Sequence, residues 1–183
     1  MAIAVNIKIE WHKIMLGSKR LWVGLLCLVL TGCGYRVSGP AVFPGNVKHI
    51  YIPMLENRTG EVGVETIITD ALIYEVTRNN PAALTRRERA QAYLAGTVAG
   101  IRNITIAHRS PNIPSERRVQ VSVAVKLKDS QGREIWSSGV VSAHEAYGVS
   151  PDKLITEQNR RTAIAVLSKR LAENIFKRLT ENF

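Results

Sequence analysis

The sequence predicts an α+β domain, a mixed four-stranded sheet with two helices packed on one face, in the order β-α-β-β-β-α. Three observations carry this. Val119, Val121, Val123, Val125 and Leu127 alternate with Arg118, Gln120, Ser122, Ala124, Lys126 and Lys128, the two-residue period of a strand with one buried face and one wet, basic face. Two other stretches carry a single apolar stripe at helical spacing, Val64-Ile67-Ile68-Ala71-Leu72 and Ile164-Leu167-Leu171-Ile175-Leu179. The strand-helix-strand start requires a crossover, and the last three strands form a meander.

Taken in order, the first segment is not part of that domain. Lys19 and Arg20 precede a mostly apolar run from Leu21 to Leu30, which has the flank and length of a signal-peptide core and is too short to span a bilayer. It ends in Leu30-Thr31-Gly32-Cys33, which resembles the lipobox cut by the lipoprotein-specific signal peptidase. Small residues before the cleaved bond suit a protease pocket, and the Cys33 sulfur would carry diacylglycerol. Residues 1–32 are thus expected to be removed, leaving Cys33 as a lipidated N-terminus; the alternative is an ordinary signal peptide that happens to end in Gly-Cys. Met15 opens a more compact leader, Met15-Leu16-Gly17-Ser18-Lys19-Arg20, so residues 1–14 read as an overextended gene start. Gly34 rather than aspartate follows Cys33, which in bacteria with the usual lipoprotein sorting machinery points to the outer membrane.

Residues 33–46 are rich in turn formers (Gly34, Gly39, Pro40, Pro44, Gly45) and read as a tether, with a single domain over 47–183. Val47 to Pro53 is expected as a buried strand, since both of its faces carry apolar residues and Pro53 stops pairing. Glu56 to Gly60 reads as a polar loop, and the first helix runs from Glu61 to about Arg78, ended by Asn79-Asn80-Pro81. Ala90 to Ile106 is expected as a long strand, with Gly96 and Gly100 marking a bend, a bulge or a close backbone approach. His108 to Arg117 carries two prolines and reads as a loop. Asp129-Ser130-Gln131-Gly132 is a hairpin turn into a returning strand from Arg133 to about His144. Ser150-Pro151-Asp152 opens the last helix as cap and first-turn proline, and a helix reaching Glu181 would be about 45 Å long at ~1.5 Å per residue.

With 183 residues the chain fits one domain, and its net charge of +10 falls to +7 once the leader takes away four lysine or arginine residues and one glutamate. That balance favours anionic partners, such as phosphate-bearing lipids or an acidic protein lumen, and equally suits a merely soluble surface. Cys27 leaves with the signal and Cys33 is acylated, so the mature domain has no free thiol for disulfides, redox chemistry or thiolate metal sites. No nucleotide-phosphate loop, zinc-protease motif or nucleophile elbow is present. His49, His108 and His144 are scattered, and Asp70, Asp129 and Asp152 fall on a helix, in a turn and at a helix start. The chain is therefore expected to be no enzyme, with no metal and no cofactor beyond the acyl lipid on Cys33. Nucleic acid is not expected as a partner of a lipidated envelope protein.

Several stretches resemble the lipopolysaccharide-assembly lipoprotein family LptE in its short form. They are Gly32-Cys33-Gly34-Tyr35-Arg36, Pro53-Met54-Leu55-Glu56-Asn57-Arg58-Thr59, Thr69-Asp70-Ala71-Leu72-Ile73-Tyr74-Glu75, and Glu145-Ala146-Tyr147 through Asn159-Arg160-Arg161. The resemblance covers nearly everything after the signal and agrees with the element order. It implies an outer-membrane lipoprotein on the periplasmic side, which assists assembly of the LptD β-barrel, plugs it, and binds lipopolysaccharide in transit to the outer leaflet. From the residues themselves, Arg102, His108, Arg109, Arg117 and Arg118 concentrate charge around the loop between the second and third strands and are the candidate lipopolysaccharide ligands, the alternative being a solvated loop rim. Asn57-Arg58-Thr59 reads as a structural turn. Other envelope lipoproteins share a Glu-Asn-Arg-Thr segment, so a regulator of cell-wall synthesis or a CsgG-like secretion subunit remains the alternative. The short tether favours a domain working close to the membrane, and the cationic third strand argues against a pore hairpin.

Overall fold

The computed structural model describes residues 43–181. The expected signal, the lipidated Cys33 and the tether up to residue 42 lie outside the described residues. The elements are β1 (Ile50–Tyr51), β2 (Glu56–Asn57), α1 (Val64–Asn79), β3 (Ala92–Ser110), β4 (Ile113–Asp129), β5 (Glu134–Gly148) and α2 (Lys153–Glu181). The sheet runs β1-β3-β4-β5, with β2 pairing β3 further along; β1 and β2 are parallel to β3 and the other pairs are antiparallel. The class is the expected α+β, with a mixed sheet of five strands rather than four.

The extra strand comes from splitting the first one. The expected strand from Val47 to Pro53 narrows to two paired residues, and pairing resumes at Glu56–Asn57, where a polar loop was expected. Pro53 has no N–H to give the ladder, so it interrupts the edge. Pairing resumes with Glu56 opposite Thr97.

In β4, Val119, Val121, Val123, Val125 and Leu127 are all fully buried. At about 1.5–3 kcal/mol for burying each such side chain, this stripe alone anchors the sheet. Leu94 and Val98 of β3 and Val141 and Ala143 of β5 lie beside it and complete the covered face. α2 packs on β5 and β4 through Ile164, Leu167, Leu171, Ile175 and Leu179, and α1 packs alongside α2 through Ile68, Leu72 and Val76. Ile67, placed on the α1 stripe by its spacing, is instead 36% exposed, and Thr69 takes an inward position. The Thr69 hydroxyl donates to Glu65 O at 2.6 Å and accepts the Leu55 N–H at 3.1 Å, which removes the cost of burying it.

Gly96 is a close approach: a Cβ there would stand 2.9 Å from Leu55 Cγ. Gly100 lies at a register shift between Val98 and Gly100, the bulge its position suggested. A second irregularity, in β5, replaces ladder bonds with a side chain. Gly139 adopts φ +63°, and the Ser138 hydroxyl accepts the Val125 N–H at 3.0 Å while donating to Gly139 O at 2.7 Å.

Two expectations are corrected. The proline-bearing segment from His108 to Arg117 is no loop: β3 continues to Ser110, β4 begins at Ile113, and only Pro111 and Asn112 turn the chain, Asn112 at φ +71°. Pro114 is tolerated because the ladder there is already broken by three register shifts between Thr105 and Ser110. At the start of α2 the capping residue is Asp152, whose carboxylate accepts the Leu154 N–H at 2.8 Å; Pro151 precedes the helix, and Ser150 instead accepts the Asp152 N–H at 3.2 Å.

Candidate functional site

Because α1 and α2 cover only part of β3 and β4, the far end of that hairpin projects with both faces in water. From Arg102 to Ile113 every residue but Ala107 is exposed. All five candidate ligands, Arg102, His108, Arg109, Arg117 and Arg118, lie on it. Arg118 faces Ile104 across the ladder and Arg102 faces Gln120, so these two arginines share the uncovered face of the sheet. Arg102 borders a depression of about 220 Å³ formed with Gly100, Gln120 and Ser122. Arg117 points to the opposite face, opposite Thr105 and Tyr147, and is half-buried. His108 lies opposite Pro114, and Arg109 sits in the irregular stretch near the tip. Among the described residues none of the five forms an ion pair with a carboxylate; Glu116 is the one acid in the hairpin arms between Arg102 and Arg118.

The hairpin also carries exposed apolar side chains, of which the loop expectation concealed Ile113. Ile104, Ile106 and Ile113 are 47%, 39% and 55% exposed. Their strand-forming character was the available signal. Cations interleaved with exposed isoleucines offer charge-assisted hydrogen bonds to phosphate oxygens and apolar contact within one projection.

The uncovered sheet face is less basic in its middle than the alternation suggests. Arg118 stands at one end and Lys126 and Lys128 at the other; between them Gln120, Ser122 and Ala124 are neutral, and Ser122 and Ser142 hydroxyls meet at 2.8 Å. Lys126 is taken up by Glu134 at 2.7 Å.

The motif residues around Asn57 are structural, as expected. Asn57 Oδ1 accepts the Thr59 N–H at 2.8 Å and the Thr59 hydroxyl at 2.7 Å, while Asn57 Nδ2 donates to Glu61 O and to Glu65 Oε2, each at 2.7 Å. The exposed Arg58 is engaged by Glu56, whose hydrogen bond holds the Glu56 carboxyl below its ordinary range. This turn delivers Glu61 to Arg160 of α2, so two stretches far apart in sequence form one joint. The hydrogen bonds that Arg160 donates to Glu61, then to Glu157, raise Arg160 above its already high ordinary value, and the Arg160 hydrogen bond lowers Glu157. Among the described residues no cluster of metal-ligating side chains forms: His49 contacts Ala82 O at the start of β1, His144 lies on β5, and His108 lies near the hairpin tip.

A family model described as LptE, lipopolysaccharide-assembly, matches residues 47–179. No curated protein matches the sequence significantly. Among solved structures, lipoprotein B from Nitrosomonas europaea is similar at 14% identity and TM-score 0.56, over 80% of this chain and 90% of that one. A Caulobacter crescentus CB15 protein is similar at 13% identity and TM-score 0.51, over 70% and 89%. Rare lipoprotein B from Shewanella oneidensis follows at 10% identity and TM-score 0.49, over 72% and 94%. At these identities the likeness to the Nitrosomonas and Caulobacter proteins is one of fold.

Proposed function

Since the chain belongs to the lipopolysaccharide-assembly family LptE, matched across its whole folded domain, we propose that it is an outer-membrane lipoprotein anchored through acylated Cys33 on the periplasmic side. In this reading it assists assembly of an LptD-type β-barrel, plugs that barrel, and binds lipopolysaccharide on its way to the outer leaflet. The work is binding and scaffolding, with no catalytic step.

The family match carries the proposal, and the projecting hairpin supports it. A polar lumen accepts a domain with neutral and basic sheet residues on its uncovered face. The four arginines and His108 supply hydrogen-bond partners for lipid A phosphates, and Arg102 and Arg118 share one face, where forked guanidinium contacts to a phosphate are geometrically simplest. Ile104, Ile106 and Ile113 add apolar surface for acyl chains.

The test is binding of purified lipopolysaccharide to the mature protein and to its R117E/R118E variant. The proposal expects weaker binding with unchanged thermal stability, since neither arginine joins the core or an ion pair. Unchanged affinity would remove the hairpin as the site.

A further inference from the structure

The end of the sheet opposite the hairpin tip carries a second group of cations. Between α1 and β3 the chain reads Arg86-Arg87-Glu88-Arg89, all exposed, around a single 3-10 turn. That loop is fixed beside the start of β1: the Thr85 N–H donates to Ile50 O and the Gln91 N–H to His49 O, both at 3.0 Å. Among the described residues Arg86, Arg87, Arg89, Lys48 and Lys128 form no ion pair, and Glu88 is the one acid within the loop. Arg87 borders a cleft of about 510 Å³ with Tyr51 and Tyr93, which are register partners on β1 and β3. Arg86 and Arg89 border a second depression of about 560 Å³.

The chain enters the domain at this same end. Gly45 packs against Ile135 at the start of β5, where a Cβ would stand 3.2 Å from Ile135 Cγ2. Cys33 precedes Phe43 by ten positions, a span of at most about 35 Å when fully extended. The hairpin tip lies at the other end of β3, whose 19 residues extend about 60 Å at ~3.3 Å each. A lipid on Cys33 would therefore be joined to the domain through the arginine end and not through the hairpin tip.

We propose that the Arg86-Arg87-Arg89 end is a membrane-facing surface, which pairs with phosphates of anionic phospholipids in the leaflet that holds the lipid anchor. Its geometry rests on the lipid-anchored reading of Cys33. Tyr51 and Tyr93, apolar rings with polar tips, suit the headgroup level. Acyl chains and a basic patch act together at an anionic surface, so the patch fixes which end of the domain meets the membrane. The hairpin is then held away from that leaflet.

The test uses the mature chain carrying Cys33→Ser, which has no lipid but keeps the whole core. Co-sedimentation is measured with vesicles of phosphatidylcholine, with and without phosphatidylglycerol. The surface predicts binding only where phosphatidylglycerol is present, released by salt. At about fivefold per cation, R86Q/R87Q weakens it roughly 30-fold, while K153Q/K169Q, which removes equal exposed charge elsewhere, leaves it nearly unchanged. Absence of binding, equal binding to both vesicles, or equal loss in the two variants would overturn the proposal. The vesicles contain no lipopolysaccharide, so none of these outcomes bears on the transport reading, and mass spectrometry of Cys33 from envelopes tests the anchor separately.

Discussion

Arg160 of α2 forks onto Glu61, ninety-nine positions earlier, with Nη1 2.9 Å from Oε2 and Nη2 2.7 Å from Oε1. The same guanidinium holds Glu157 through Nε at 2.9 Å, and its side chain is only 14% exposed. One residue thus ties the last helix to the turn that launches the first. Arg160→Ala leaves two partly screened carboxylates facing each other and is expected to cost about 2 kcal/mol in denaturant unfolding. Arg160→Lys, which cannot fork, is expected to recover less than half of that.

Acid should loosen the same joint. Hydrogen bonds from Arg160 and then Arg161 hold Glu157 below the usual carboxylate range. A depressed carboxyl contributes stability above its unfolded value and loses it as pH falls through the folded one. The melting temperature is therefore expected to drop as the pH falls below the ordinary glutamate value of about 4.3, with a shallower drop in Glu157→Gln, which has nothing to protonate there. Identical acid limbs would assign the loss to other carboxylates.

Gly96 and Leu55 form a packing pair that leaves no room for a methyl group. Gly96→Ala places its Cβ 2.9 Å from Leu55 Cγ and 3.2 Å from Val125 Cγ2, in a core where Leu55 is buried. The expected cost is about 1–3 kcal/mol. Leu55→Ala in that background should cost less than it does alone, a non-additivity that a double-mutant cycle measures.

Ser138 substitutes for a missing ladder partner. Ser138→Ala leaves the Val125 N–H buried without its acceptor, so a loss of about 1–3 kcal/mol is expected in thermal or denaturant unfolding. Ser138→Thr, which keeps the hydroxyl, is expected to retain part of the difference.

How much of this was legible follows from the range of the forces involved. The β4 alternation and the α2 stripe are local patterns with an unambiguous period, and both elements formed where the residues placed them. The hairpin tip from His108 to Arg117 was hidden because Pro111 and Pro114 are local breakers; strand pairing across the tip and the bulges that accommodate Pro114 are not local. β2 went unseen because two residues have no period, and only their fit beside Thr97 and Val98 makes them a strand. The candidate cations were readable as a cluster in sequence, but which face each occupies depends on register, and so Arg117 separates from Arg102 and Arg118. Arg86-Arg87-Glu88-Arg89 was equally visible as a charge run, and its meaning came only from its place beside β1 at the end where the chain enters.

The most direct measurement of the transport reading is affinity isolation of the tagged lipoprotein from detergent-solubilised outer membranes, with mass spectrometry of what stays bound. The account predicts a large β-barrel protein at stoichiometric yield. Recovery of a cell-wall synthase, or of a homo-oligomeric ring of this chain, would contradict it.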